Sequence, residues 1–156
     1  MFTSCLIGFI LIFAYCVAII IKDKKIPNSI SHIVYFLDKK WKWTFTAVMF
    51  AISFLIVPQL INVVADKHAF LSFLTIVGIL GVGSDPLEYG KKNIVHYASA
   101  FLMGVVSQII VYLYAPKLMF LWIPYVIYTL YETKSDKNMF FAEMVMIISL
   151  GVVCLI

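Results

Sequence analysis

The chain has 156 residues, of which 63% are hydrophobic and 13% are charged, and its net charge is +4. Soluble domains contain about 45–50% apolar and about 25% charged residues, and a soluble fold of this size cannot bury so apolar a sequence. The composition excludes a soluble globular domain, a disordered chain and a nucleic-acid-binding module. It indicates a protein that crosses a membrane several times.

Six apolar stretches follow one another along the chain, at residues 2–21, 43–65, 69–84, 94–115, 118–131 and 139–156. A spanning helix needs about 20 mostly apolar residues, because its backbone polar groups must be satisfied within the helix. The fifth stretch is short and carries Pro124 in its middle, so its exclusion or fusion is the alternative. The sequence predicts an all-α integral membrane protein: one polytopic domain, 1–156, folded as a six-helix transmembrane bundle.

The lysines orient this bundle. All twelve basic residues are lysines, and in the six-helix topology only Lys67 and Lys117 fall in the loops after the second and fourth helices. The other ten fall in the loops after the first, third and fifth helices, and cytoplasmic loops are the ones that carry an excess of lysine. We therefore expect a multi-pass protein of the cell inner (cytoplasmic) membrane with both termini on the non-cytoplasmic side.

The first cytoplasmic loop carries apolar residues at helical spacing after Pro27-Asn28-Ser29, which can cap a helix start. This pattern predicts an amphipathic helix over residues 29–41 that lies flat on the membrane surface. It would anchor the second helix or serve as a regulatory or partner-binding helix. The expected membrane-surface residues are Lys39, Lys40, Trp41, Lys42 and Trp43.

Glu143 is the charged residue that lies clearly inside a predicted span, where charge is costly. By depth, its expected partners are His96, Tyr97 and Ser99 at the start of the fourth helix, with Asp85 and Glu88 in the preceding turn. Three interpretations stay open: a neutral carboxyl that fixes helix register, a proton or ion site, and a catalytic group. Metal-ligand spacing is absent from the sequence, so we expect no metal.

Small and polar residues recur every four positions along the fourth helix, and glycines recur on the third. Such residues allow close helix contact in membranes, and a polar stripe can also line a conduit. We expect these positions to serve helix packing: Gly78, Gly81, Gly83, Ala100, Gly104 and Gln108.

Part of the sequence resembles a known family. Gly78 in the third helix, the turn Asp85-Pro86, and His96 followed by small residues and Phe101 are similar to a bacterial six-helix membrane family of unknown function related to the eukaryotic DRAM and FRAG proteins. The resemblance implies a six-helix bundle, no assigned reaction, and a structural role for His96 at the cytoplasmic end of the fourth helix. The first loop is longer and more amphipathic than that family leads us to expect.

These observations favour an accessory or structural protein of bacterial or phage origin that binds membrane lipid or a membrane protein partner. The partner can also be a second copy of the chain, in a homo-oligomer. The second hypothesis is an oligomeric channel or membrane-permeabilising effector with a proton or ion site at Glu143. The third is a lipid-modifying intramembrane enzyme around Asp85, His96 and Glu143. The sequence lacks a Ser-His-Asp spacing and a phosphate-binding loop, so we expect no enzyme, no cofactor and no nucleic-acid partner.

Overall fold

The computed structural model describes residues 2–84, 94–133 and 135–156, and every regular element in these residues is helical. The α-helices are α1 (Phe2–Asp23), α2 (Trp43–Val63), α3 (Ala69–Gly83), α4 (Ile94–Tyr114), α5 (Trp122–Tyr131) and α6 (Asn138–Leu155). Short 3₁₀ helices occupy Ser31–Phe36, Lys39–Trp41, Asp66–His68 and Pro116–Leu121.

Five of the helices, α1, α2, α3, α4 and α6, are long and apolar enough to cross a membrane, two of them together with a 3₁₀ extension. Their ends agree with the five corresponding apolar stretches of the sequence to within two residues. An uninterrupted apolar run forms a helix because a helix satisfies its own backbone polar groups without water. The prediction of a helical membrane protein is confirmed at this level.

The long helices pack as a closed ring. Along the chain α1 contacts α2, α2 contacts α3, and α3 makes the most extensive contact with α4. Then α4 contacts α6, and α6 returns to α1. Hydrogen bonds join neighbours in this ring, such as the one between the hydroxyls of Tyr15 and Thr44 at 3.1 Å. None of the residues of α5 is buried, so this helix lies at the periphery.

The α3–α4 contact is close because glycine lies on it. A Cβ atom placed on Gly78 would be only 2.7 Å from Met103 Cβ and 2.9 Å from Met103 Cα. Gly81, one turn further on, faces Ser99 at similarly short range. The absent side chains therefore let the two backbones approach each other, as small residues do between membrane helices.

The same holds for two other neighbours in the ring. A Cβ on Gly83 would lie 2.7 Å from Met49 Cβ in α2, and one on Gly104 would lie 3.1 Å from Met146 Sδ in α6. The structure thus places these glycines, which the sequence marked as packing positions, against neighbouring helices.

The helices alternate in direction, which defines two ends of the bundle. The lysine-rich end holds the end of α1, the start of α2 and the start of α6, where the backbone N–H of Phe140 donates to the Asn28 carbonyl at 2.9 Å. At the opposite end the Tyr114 hydroxyl accepts the Ala65 backbone N–H at 2.8 Å and lies 2.9 Å from His68 Nδ1. The start of α1 and the end of α6 also lie at this opposite end.

The segment from Pro116 to Tyr131 connects these two ends. It consists of six residues of 3₁₀ helix and ten of α-helix, which extend about 12 Å and about 15 Å. Pro124 lies in the first turn of α5, where a missing N–H costs nothing. The proline is therefore compatible with the start of this helix.

The first loop differs from its prediction. A continuous amphipathic helix over residues 29–41 is not confirmed, because two 3₁₀ helices occur there, separated by extended backbone at Leu37. Ile30, Ile33 and Val34 belong to the hydrophobic core of the protein, so these apolar side chains are buried by the bundle and not by the membrane surface. We call residues 27–34 the capping segment, because they cover the lysine-rich end of the helix ring.

One test of this arrangement uses the native cysteines. Cys5 of α1 and Cys154 of α6 are fully buried, and their thiols lie next to each other. Both are free thiols in the structure, as is Cys16. Treatment of membranes with copper phenanthroline is expected to join Cys5 to Cys154, found as a disulfide-linked peptide pair by mass spectrometry. A bond from Cys16 to either residue would contradict the packing of α6 beside α1, and Cys16→Ser is the control that leaves the expected link intact.

Candidate functional site

The helix ring encloses a narrow cavity of about 60 Å³ that is open at its mouth. This is below the range of roughly 300–1,000 Å³ that is usual for sites that enclose a whole drug-sized ligand. All five long helices line the cavity together with the capping segment. The lining residues are almost all apolar, and the polar members are Ser31, Ser107 and Glu143.

The cavity is elongated along the bundle axis. On α6 its lining runs from Glu143 to Leu150, and on α2 from Met49 to Ile56. Two helical turns correspond to about 10 Å at the rise of an α-helix. The space therefore has the shape of a short channel, with Glu143 and Ser31 at the lysine-rich end and mostly apolar side chains, together with Ser107, further in.

Glu143 lies at the polar end of this space, in the second turn of α6. Its Oε2 accepts a hydrogen bond from the backbone N–H of Ile30 at 2.5 Å. Among the residues that the structure describes, no lysine or histidine forms an ion pair with this carboxylate. Ile30 and Glu143 are 113 positions apart in the chain, so the bond holds the capping segment on the last helix.

The capping segment is built by local hydrogen bonds. The Ser29 hydroxyl accepts the backbone N–H of His32 at 3.1 Å and lies 3.0 Å from the Ser31 hydroxyl. The Asn28 carbonyl accepts the N–H of Phe140, one of the first N–H groups of α6, which have no partner inside their own helix. The capping segment thus supplies an acceptor for a backbone N–H at the start of α6, and Glu143 supplies an acceptor for a backbone N–H of the capping segment.

The residues expected beside Glu143 have different positions. His96 is buried in the first turn of α4, with its ring edge-on to that of Tyr97 at 5.6 Å. Tyr97 is 67% exposed, and Ser99 lies at the α3–α4 contact against Gly81. None of these three lines the cavity. Depth along a helix was a poor guide here, because side chains at one level point in all directions around the ring.

Asp85 and Glu88, the other members of the expected cluster, lie outside the described residues. Within residues 2–84, 94–133 and 135–156 there is no group of three or more His, Cys, Asp and Glu side chains that could hold a metal ion.

Gln108 has polar partners as well as a place in the packing of α4. Its Oε1 accepts the indole N–H of Trp122 at 2.9 Å, and its Nε2 donates to the Ser149 hydroxyl at 3.2 Å. It joins α4 to α5 and α6 inside the apolar region. Ala100, on the same side of α4, lines the cavity.

The expected membrane-surface residues lie at the lysine-rich end. Lys39, Lys40, Trp41 and Trp43 are exposed there, and Lys42 Nζ lies 6.0 Å from the centre of the Tyr35 ring. These positions suit a belt of lysine and tryptophan at the level of lipid headgroups.

Sequence analysis missed the cavity and the bond that closes it. Ile30 and Ser31 were assigned to a surface helix, yet they form the cap of an internal space. The available signal was Pro27-Asn28-Ser29, which marks a local start of helical structure and does act that way through Ser29. Nothing in the local pattern indicates that the partner of this turn lies on the last helix.

Fold and site together define a class: an all-helical membrane protein with five helices long and apolar enough to cross the bilayer and a largely apolar internal cavity. Comparison with protein-family models, with curated proteins and with solved structures finds no match to this chain. The resemblance to the DRAM- and FRAG-related family therefore stays a prediction, and function must be argued from the site itself.

Proposed function

We propose that this protein is an accessory membrane protein, without a reaction of its own, that binds a lipid-like molecule in its internal cavity. The observation that carries the proposal is the cavity itself, an apolar space walled by five membrane-length helices. A cavity lined by aliphatic side chains favours an apolar guest. Little of the described chain lies outside the bundle, so a ligand inside the membrane is the one it can reach.

We further propose six membrane crossings in the cytoplasmic membrane, with the segment from Pro116 to Tyr131 as the fifth. The direction of α6 supports this, because its start lies at the same end as the start of α2, so the chain must return between α4 and α6. The lysine-rich end then faces the cytoplasm and both termini face the other side.

The test of lipid binding is native mass spectrometry of protein extracted in a mild detergent. Ala100 lines the cavity, whereas Ala98, two residues away on the same helix, is exposed on the outside. Wild type and Ala98→Phe are expected to retain a lipid-like molecule at fixed stoichiometry, and Ala100→Phe to lose it. A check of helix content by circular dichroism shows that each variant folds. Equal retention by both variants would contradict binding in the cavity.

A second candidate function, a conducting or proton-linked role, is favoured by one observation: Glu143 is the carboxylate that lines the cavity among the described residues. The test is the membrane potential of cells that express wild type or Glu143→Gln at matched levels. Depolarisation by wild type alone would support conduction through Glu143. Polarised cells in both cases would leave the accessory function as the better account.

A further inference from the structure

The polar end of the cavity holds the carboxyl group of Glu143, which has no positive partner in the described chain. The lysines of that part lie at the two ends of the bundle, in the turns and loops between helices or at the outermost turn of a helix. Transfer of a carboxylate into an apolar environment is costly unless it is paired or hydrogen-bonded. The Ile30 N–H provides one hydrogen bond to Glu143. A carboxylate has about four acceptor positions, so Glu143 can accept further hydrogen bonds.

A second acceptor lines the same cavity, the Ser31 hydroxyl, which lies 3.0 Å from the Ser29 hydroxyl. Ser31 lines the cavity and follows directly after Ile30, whose N–H is bound to Glu143. The Ser31 hydroxyl oxygen has lone pairs of its own. An ammonium group, which has three donors and no acceptor, matches this pair of acceptors in both charge and hydrogen bonding.

Beyond these two residues the cavity continues between aliphatic side chains for about 10 Å along the axis, past Ile52 and Ile56 on one side and Ile147 and Leu150 on the other. Ser107 is the polar exception on this inner wall, and the narrow space of about 60 Å³ has room for no more than a single linear alkyl chain. A fatty acid would bring a second carboxylate to Glu143, and like charges at that distance repel each other.

We propose, on the basis of the proposed lipid-like ligand, that the cavity selects a primary alkylamine, with its ammonium group between Glu143 and Ser31 and its chain pointing toward Leu150. The proposal concerns the head group of the ligand. The apolar cavity accounts for binding, and Glu143 accounts for the preference for an amine over an alcohol or an acid of the same chain length.

The experiment uses the full chain in nanodiscs of zwitterionic lipid and a photoreactive octylamine that carries a diazirine on its chain. Cross-linked residues are mapped by mass spectrometry, and octylamine, octanol and octanoate compete as unlabelled ligands. Labelling is expected at cavity residues such as Met146 and Met103. We expect octylamine to compete at least about tenfold better than octanol, the gain of one charge-assisted hydrogen bond of about 1.5 kcal/mol or more, and octanoate to compete least.

Glu143→Gln keeps the size of the side chain and an acceptor for the Ile30 N–H, so the capping segment stays in place. This variant is expected to bind octylamine and octanol equally. Glu132→Gln, the same change at an exposed carboxylate near the start of α6, is expected to retain the wild-type preference.

The outcomes separate this inference from the proposed function. Saturable labelling of cavity residues with equal competition by the three ligands would overturn the amine preference and leave lipid binding intact. A preference that persists in Glu143→Gln would also overturn it. Labelling confined to lipid-facing residues such as Phe101, without saturation, would overturn both.

Discussion

Replacing Glu143 with alanine is expected to release the capping segment from α6. The backbone N–H of Ile30 then loses its acceptor, and a hydrogen bond to a charged group contributes about 1.5–3 kcal/mol. The measurement is the rate of maleimide labelling at Ser31→Cys in a chain whose three native cysteines are replaced. Labelling is expected to become about tenfold faster or more, because each 1.4 kcal/mol corresponds to about a factor of ten in the population that opens.

Two variants make this result specific. Glu143→Gln retains an acceptor oxygen and is expected to label at a rate close to that of the parent chain. Glu132→Ala removes a carboxylate that is exposed to solvent and should have no effect. An unchanged rate in Glu143→Ala would mean that the capping segment is held by the burial of Ile33 and Val34 alone.

Replacing Gly78 with alanine is expected to destabilise the bundle by about 1–3 kcal/mol, the usual cost of inserting a methyl group where there is no room. The new Cβ would lie 2.9 Å from the backbone Cα and N atoms of Met103, which cannot rotate away as a flexible side chain can. The two helices must separate, and the closest contact of the ring is lost. The measurement is thermal unfolding in detergent, followed by circular dichroism.

The control for Gly78→Ala is Val77→Leu, which also adds one carbon atom, at the adjacent and partly exposed position. It is expected to unfold within a degree or so of wild type, because surface substitutions usually change stability little. Equal melting temperatures for Gly78→Ala and wild type would show that α3 and α4 can move apart freely.

The sequence allowed the long helices to be predicted well because the membrane imposes a simple rule on each of them. Any apolar run of sufficient length must be helical, so α1 and α4 could be located from hydropathy alone. The role of the small residues in helix packing could also be predicted, since Gly78 and Gly81 can serve few purposes in a membrane other than close helix contact. The sequence does not predict which helix each glycine contacts, because that depends on the order of the helices around the ring.

The capping segment could not be predicted for a related reason. Its apolar residues could pack equally well on a membrane surface or inside a helix bundle. The local sequence pattern does not distinguish between these two environments. The choice is made by Glu143 and by the start of α6, far along the chain. His96 shows the same limit, because its direction around the helix axis depends on neighbours that the sequence does not specify.

The closure of the ring by contact between α6 and α1 has a consequence for biosynthesis. All the other helices precede α6 in the chain, so they leave the ribosome and enter the bilayer before it does. Until α6 arrives, the growing bundle has an open side and the Ile30 amide lacks its acceptor. Insertion of α6 therefore seals the cavity, and the lipid-like ligand that we propose would have access from the side until then.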